Sequence, residues 1–119
     1  MLDHVGLRTT KVKELVAFYE AVLAPLGYAK QMDYGVAAGF GREGELPLWI
    51  GEGPGVSSVH LALAAANRAE VDAFYQAALA NGATDNGAPG LRPHYHDNYY
   101  GAFVLDPDGN NLEAVCHAP

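Results

Sequence analysis

Three residues in separate stretches of the chain carry side chains able to share one divalent cation: His4 in "HVGL", His60 in "HLAL" and Glu113 in "DPDGNNLEAV". Glu113 raises the question most sharply. Pro107 suits the first corner of a β-turn, and Asp108-Gly109 tolerates the positive φ needed to reverse the chain. Leu112, Ala114 and Val115 then read as a half-buried strand. An unpaired carboxylate in the middle of such a strand costs several kcal/mol. A bound cation would convert that cost into a bond.

A second polar cluster, "RPHYHDNYYG" at residues 92–101, lies just upstream of the Glu113 strand. His94 and His96 share a parity if the segment is extended, with Tyr95 opposite. A histidine at a cavity edge can give or take a proton near neutral pH, because its ordinary pKa lies there. Tyr99 and Tyr100 could position a substrate. His94, His96, Tyr99 and Tyr100 are the candidate catalytic residues, while His117 reads as a surface residue.

A repeat explains how such distant residues could meet. "AFYEAVLA" (residues 17–24) and "AFYQAALA" (residues 73–80) agree at six of eight positions with an offset of 56. The same offset relates "HVGL" at residue 4 to "HLAL" at residue 60. Each half thus opens with a His-bearing strand and continues into an amphipathic helix. Leu15, Phe18, Tyr19 and Val22 mark one apolar stripe; Val71, Phe74, Tyr75 and Ala78 mark the other. "NRAE" at residues 67–70 is a capping-box signal for the second helix. Three short strands fit the remainder of each half, so the expected fold is α+β, a β-α-β-β-β module used twice. Module 1 spans about residues 1–54 and module 2 about 55–119 of a single domain. "GFGREGE" and "NGAPGLRP" read as loops.

Strand parity says where the histidines point. His4 shares its face with Gly6, opposite Val5 and Leu7; His60 shares its face with Ala62 and Ala64, opposite Leu61 and Leu63. The bulky face packs on a helix, and the face lined by small residues borders a cavity. Two imidazoles and one carboxylate from three strands suit a divalent metal and leave coordination positions open for water or substrate. His4, His60 and Glu113 are therefore the expected metal ligands.

Composition limits the alternatives. The 119 residues carry a net charge of −7, with basic residues few and scattered, which argues against nucleic acid and anionic membrane as partners. No apolar run approaches the ~20 residues of a membrane span. "MLDHVGLRTT" lacks the pattern of a signal peptide, and the single cysteine, Cys116, fits a reducing cytoplasm. A small-molecule substrate is the expected partner.

These features resemble the vicinal oxygen chelate superfamily, which includes glyoxalase I, bleomycin-resistance proteins, fosfomycin-resistance enzymes and extradiol dioxygenases. The resemblance spans essentially the whole chain, on "LDHVGL", "VHLALAA" and above all "FVLDPDGNNLEAV". It implies paired modules forming an eight-stranded cup-shaped mixed sheet around Zn, Ni, Mn or Fe(II), with ligands at His4, His60 and Glu113. It also implies a homodimer, with the site either an intrachain cup or shared between subunits by swapped modules. Two departures matter. Glyoxalase I carries a further carboxylate near the end of its first module, where this chain has Trp49. Extradiol dioxygenases and fosfomycin-resistance enzymes keep a tyrosine where this chain has Phe103, although His94 lies upstream of the glutamate much as the dioxygenases' acid-base histidine does. The expected function is metal-dependent lyase, isomerase or dioxygenase chemistry on a small oxygenated molecule. The alternative is a metal-free binding protein of the bleomycin-resistance kind.

Overall fold

The computed structural model describes residues 1–119. Module 1 comprises strand β1 (Val5–Thr9), helix α1 (Val12–Leu23), a 3-10 turn (Ala24–Leu26), and strands β2 (Ala29–Asp33), β3 (Ala37–Arg42) and β4 (Glu45–Glu52). Module 2 repeats the order with β5 (His60–Ala64), α2 (Arg68–Ala80), β6 (Thr84–Leu91), β7 (Tyr100–Leu105) and β8 (Asn111–Cys116). The helices begin and end where local chemistry dictates. The Asn67 side chain accepts the Glu70 N–H, and the Glu70 carboxylate accepts the N–H of Ala66, satisfying donors at the start of α2. Beyond α1, the 3-10 turn holding Pro25 ends at Gly27, whose φ of 86° suits glycine.

The eight strands form two four-stranded mixed sheets, in the orders β1-β4-β3-β2 and β5-β8-β7-β6. Only β1 with β4 and β5 with β8 pair in parallel. These two edge strands are the ones that feed a helix, and a parallel partner needs that long crossover. Both β1 and β5 keep one free edge within the chain.

Two stretches that read as loops are mostly strand. "GFGR" closes β3, and the hairpin to β4 needs only Glu43 and Gly44, both at positive φ. "NGAPGL" lies in β6, which is bulged twice against β7. The composition misleads because β6 is the sheet edge opposite β5, where Gly and Pro leave the ladder intact.

Both aromatic pairs are core, as their spacing predicts: Phe18, Tyr19, Phe74 and Tyr75 are all buried between helices and sheets. One hydrophobic cluster runs through both modules, because α1 packs on α2. The aspartate-proline turn is also a joint between modules. Buried Asp106 accepts the backbone N–H groups of Asp108 and Asn110 on Oδ1; on Oδ2 it accepts the Tyr19 hydroxyl at 2.5 Å and the Asn110 amide. Lys11 of module 1 donates to the Pro107 carbonyl, and Asn110 accepts the Val59 N–H. No helix is long and apolar enough to cross a membrane.

Candidate metal centre

Alternation along β8 turns Leu112 and Ala114 toward α2 and Glu113 toward the open face of the sheet. Ala62 of β5 and Phe103 of β7 flank Glu113 in register. Glu113 is nonetheless only 1% exposed. Its two oxygens are engaged separately: Oε1 lies 2.8 Å from His60 Nε2, and Oε2 accepts a hydrogen bond from the Tyr99 hydroxyl. No Lys or Arg neutralises it; among the ion pairs, Glu113 meets only His60. His60 itself opens β5 with its side chain half exposed, so the pair lies at a solvent-facing rim.

The loop from Arg92 to Tyr99 places the phenol. The Arg92 N–H donates to the Tyr99 carbonyl and closes the loop base, while Asn98 takes a positive φ of 62° just before Tyr99. Gly101 has no Cβ, and one there would lie 3.2 Å from the Tyr99 ring and 3.4 Å from Glu113 Oε2. Gly101 therefore lies directly beneath the contact between phenol and carboxylate, where a side chain would crowd the Tyr99 ring. Burial, reinforced by the Glu113 carboxylate, pushes the Tyr99 phenol up to about 12, so it is a donor at neutral pH.

The other candidates divide. His96 stacks on His117, with ring centroids 4.8 Å apart, and both set an edge against Tyr99. His94 packs on Tyr95, whose ring in turn meets Tyr99. His117, although exposed as its position suggested, thus joins the aromatic surround of Tyr99. Tyr100 is a correction. It opens β7 on the opposite face from Gly101 and Phe103, donates to Asp72 of α2 at 2.7 Å and lies under Arg68. Adjacent strand residues point to opposite faces, so Tyr99 and Tyr100 do not serve one site.

His4 immediately precedes β1 on the exposed face shared with Gly6 and Arg8, and its Nδ1 lies 2.7 Å from Asp3 Oδ1. A carboxylate on Nδ1 leaves Nε2 as the free nitrogen, which is how metal-binding imidazoles are commonly oriented. Within one chain, however, no three His, Cys, Asp or Glu side chains gather closely enough for a metal. The three expected ligands do not converge in a single subunit. His4 instead borders a cleft with Leu61 and Leu63, the residues that alternate with His60 along β5.

The pair formed by His60 and Glu113 fits a divalent ion. Their ring nitrogen and carboxylate oxygen are hydrogen-bonded to each other at 2.8 Å, and a bound cation would take the place of that shared proton. An imidazole nitrogen with a carboxylate oxygen is a donor set accepted by Zn, Ni, Mn and Fe(II). Sequence reasoning passed over Asp3 and gave Arg92 no role, although it rightly placed Arg92 outside the strands. An acidic neighbour of a candidate histidine was the available signal for Asp3.

The register also locates Trp49. It pairs with Gly6 of β1 and Gly39 of β3 as Glu113 pairs with Ala62 and Phe103, so it occupies the module 1 counterpart of Glu113.

Comparison with known proteins gives the same fold. A glyoxalase/bleomycin resistance protein from Albidiferax ferrireducens T118 superposes with a TM-score of 0.83 at 27% identity, covering 98% of both chains. A glyoxalase/bleomycin resistance protein/dioxygenase family enzyme from Burkholderia phytofirmans PsJN gives 0.74 at 22% identity, again covering 98% of both. Lactoylglutathione lyase from Agrobacterium tumefaciens gives 0.68 at 20%, over 95% of this chain and 90% of that one. No curated protein matches in sequence. The Glyoxalase/Bleomycin resistance protein/Dioxygenase superfamily model matches residues 1–114. With nearly the whole chain matched and both modules in place, the protein belongs to the glyoxalase/bleomycin resistance protein/dioxygenase superfamily.

Proposed function

We propose that this protein is a divalent-metal-dependent enzyme acting on a small oxygenated molecule, and that it works as a homodimer. The observation that carries the proposal is the pairing of His60 Nε2 with Glu113 Oε1 at 2.8 Å on an open sheet face, around a carboxylate otherwise buried without a cation. His60 and Glu113 would hold the ion, and the partner subunit's His4 would complete the set. The free edges of β1 and β5 and the exposed Leu2 and Val59 beside them favour association there. When bound, the metal supplies Lewis-acid stabilisation of oxyanion or enolate charge on substrate oxygens.

The chain's own residues supply the rest. Tyr99 holds Oε2 of Glu113 and so leaves Oε1 as the ligand atom. His96, edge-on to Tyr99, and His94, packed on Tyr95, would serve as proton donor or acceptor to the substrate. A redox-inert Zn, Ni or Mn fits lyase or isomerase chemistry, whereas Fe(II) or Mn(II) fits ring-opening oxygenation.

Subunit mixing tests the proposal. H4A and E113A variants each lose metal alone, but a mixed population of dimers recovers about a quarter of the sites, because half the dimers are mixed and one of the two sites in each is intact. Elemental analysis of protein purified anaerobically without a tag reads the recovery and names the metal. Metal retained by either single variant, or no recovery on mixing, overturns the shared site. A metal-free binding protein is the second reading, favoured by the gathering of only His60 and Glu113 within one chain. Protein that takes up no divalent metal yet protects a small molecule stoichiometrically would establish it.

A further inference from the structure

We propose that Arg92 is an anion-binding residue and that the substrate is a small organic acid, its carboxylate held by Arg92 while its vicinal oxygens face His60 and Glu113. In naming the substrate class, this rests on the metal reading above.

Module 2 contains two basic residues, Arg68 and Arg92. Arg68 covers Tyr100 on the helix side of the sheet. Arg92 is therefore the cation on the face that carries Glu113, and it takes part in none of the chain's ion pairs. Its guanidinium is also fixed. One terminal nitrogen donates to the Gly90 carbonyl at 2.8 Å and the other to the Ala88 carbonyl at 2.9 Å. One face lies against the Phe103 ring, 5.4 Å from its centroid. A Cβ at Gly87 or at Gly90 would come within 3.2 Å of a terminal nitrogen, so two bare positions in β6 give the group its bed.

A guanidinium has five N–H donors, and two are used here. The remaining three belong to a charge whose orientation the fold has already set, so little side-chain entropy is lost when an anion arrives. Phe103 links this cation to the metal pair. Its ring touches Arg92 on one side, and on the other its centroid is 6.2 Å from that of His60. The floor thus runs from imidazole across one phenyl ring to guanidinium. Such a floor matches a flat molecule with chelating oxygens at one end, an apolar spacer in the middle and a carboxylate at the far end. In a chain of net charge −7, a fixed and unpaired cation is what lets an anionic substrate approach this face.

The probes are benzoate, catechol and 3,4-dihydroxybenzoate. Benzoate titrated into metal-free protein should give saturable NMR shifts at the Arg92 Nε–H and the Phe103 ring, absent in R92Q. Metal-loaded protein should bind 3,4-dihydroxybenzoate about tenfold more tightly than catechol, a preference erased in R92Q while catechol affinity and metal content stay unchanged. R92K, which keeps the charge without the fork, should retain only part of it. No benzoate response, equal affinity for the two diols, or an R92Q variant that loses catechol and folded stability together would overturn the proposal; the last would make Arg92 a clamp for β6. Failure of the metal reading alone looks different: no metal and no catechol binding, with the benzoate response intact.

Discussion

The open faces of the two modules share a backbone and differ in chemistry. In module 2 the central position of the last strand is Glu113, with an imidazole and a phenol on its oxygens. In module 1 it is Trp49, whose ring is parallel to that of Tyr34 within 4°. Trp49 also lies on Gly39, where a Cβ would sit only 3.0 Å from the indole. The rear faces did not diverge in this way: Phe18 and Phe74, and Tyr19 and Tyr75, remain buried pairs. A core position is held by its neighbours' packing, whereas an open-face position is free to change once the backbone is duplicated. One module therefore offers an aromatic surface and a lone histidine, and the other offers the His60–Glu113 pair.

The largest effect expected is at Glu113. E113Q keeps the volume and the Tyr99 contact but removes the charge, and divalent metal affinity should fall by about a hundredfold or more in a calorimetric titration. An unchanged affinity would make Glu113 a structural carboxylate. The twin tyrosines sharpen the comparison through stability. The Tyr19 hydroxyl donates to buried Asp106 across the module joint, so Y19F should cost about 1–3 kcal/mol in urea unfolding. The Tyr75 hydroxyl donates at 3.0 Å to Asp85, near solvent, so Y75F should cost only about 0.5–1 kcal/mol. Equal costs would deny the joint its role.

W49E would make the modules alike. If module 1 faces the metal across a dimer, the added carboxylate should raise metal affinity about tenfold, and no gain would separate the two faces. The smallest effect is in alkali. Burial first, then Asp106, holds the Tyr19 phenol far above its ordinary value. A proton released more readily by the unfolded chain destabilises the fold as pH rises. The stabilisation is fully present below about pH 10 and declines above it. Urea midpoints between about pH 9 and 11 should fall more steeply in wild type than in Y19F.

Much of this was legible in the one-dimensional pattern. The 56-residue offset gives two modules, and the 3.6-residue stripes and the Asn67 cap give both helices. Period-2 alternation gives the face on which His60 and Glu113 sit. All are local regularities of the backbone, and a sequence carries them directly. The β6 strand was missed because Gly and Pro signal loops in most contexts, while an edge strand tolerates them. Tyr99 could not be separated from Tyr100 without knowing where β7 begins. The Arg92 fork depends on two bulges that only pairing reveals.

The sequence by itself determined the modules, their helices, and the side of each strand on which the chemical residues lie, because these follow from periodicity and local sterics. Tertiary structure decided which residues meet. His4 borders a cleft with Leu61 and Leu63 and does not gather with His60 and Glu113, and the loop closed between Arg92 and Tyr99 brings a phenol onto the buried carboxylate. Such long-range contacts are fixed by how apolar surfaces fit together in three dimensions, a property no spacing along the chain contains.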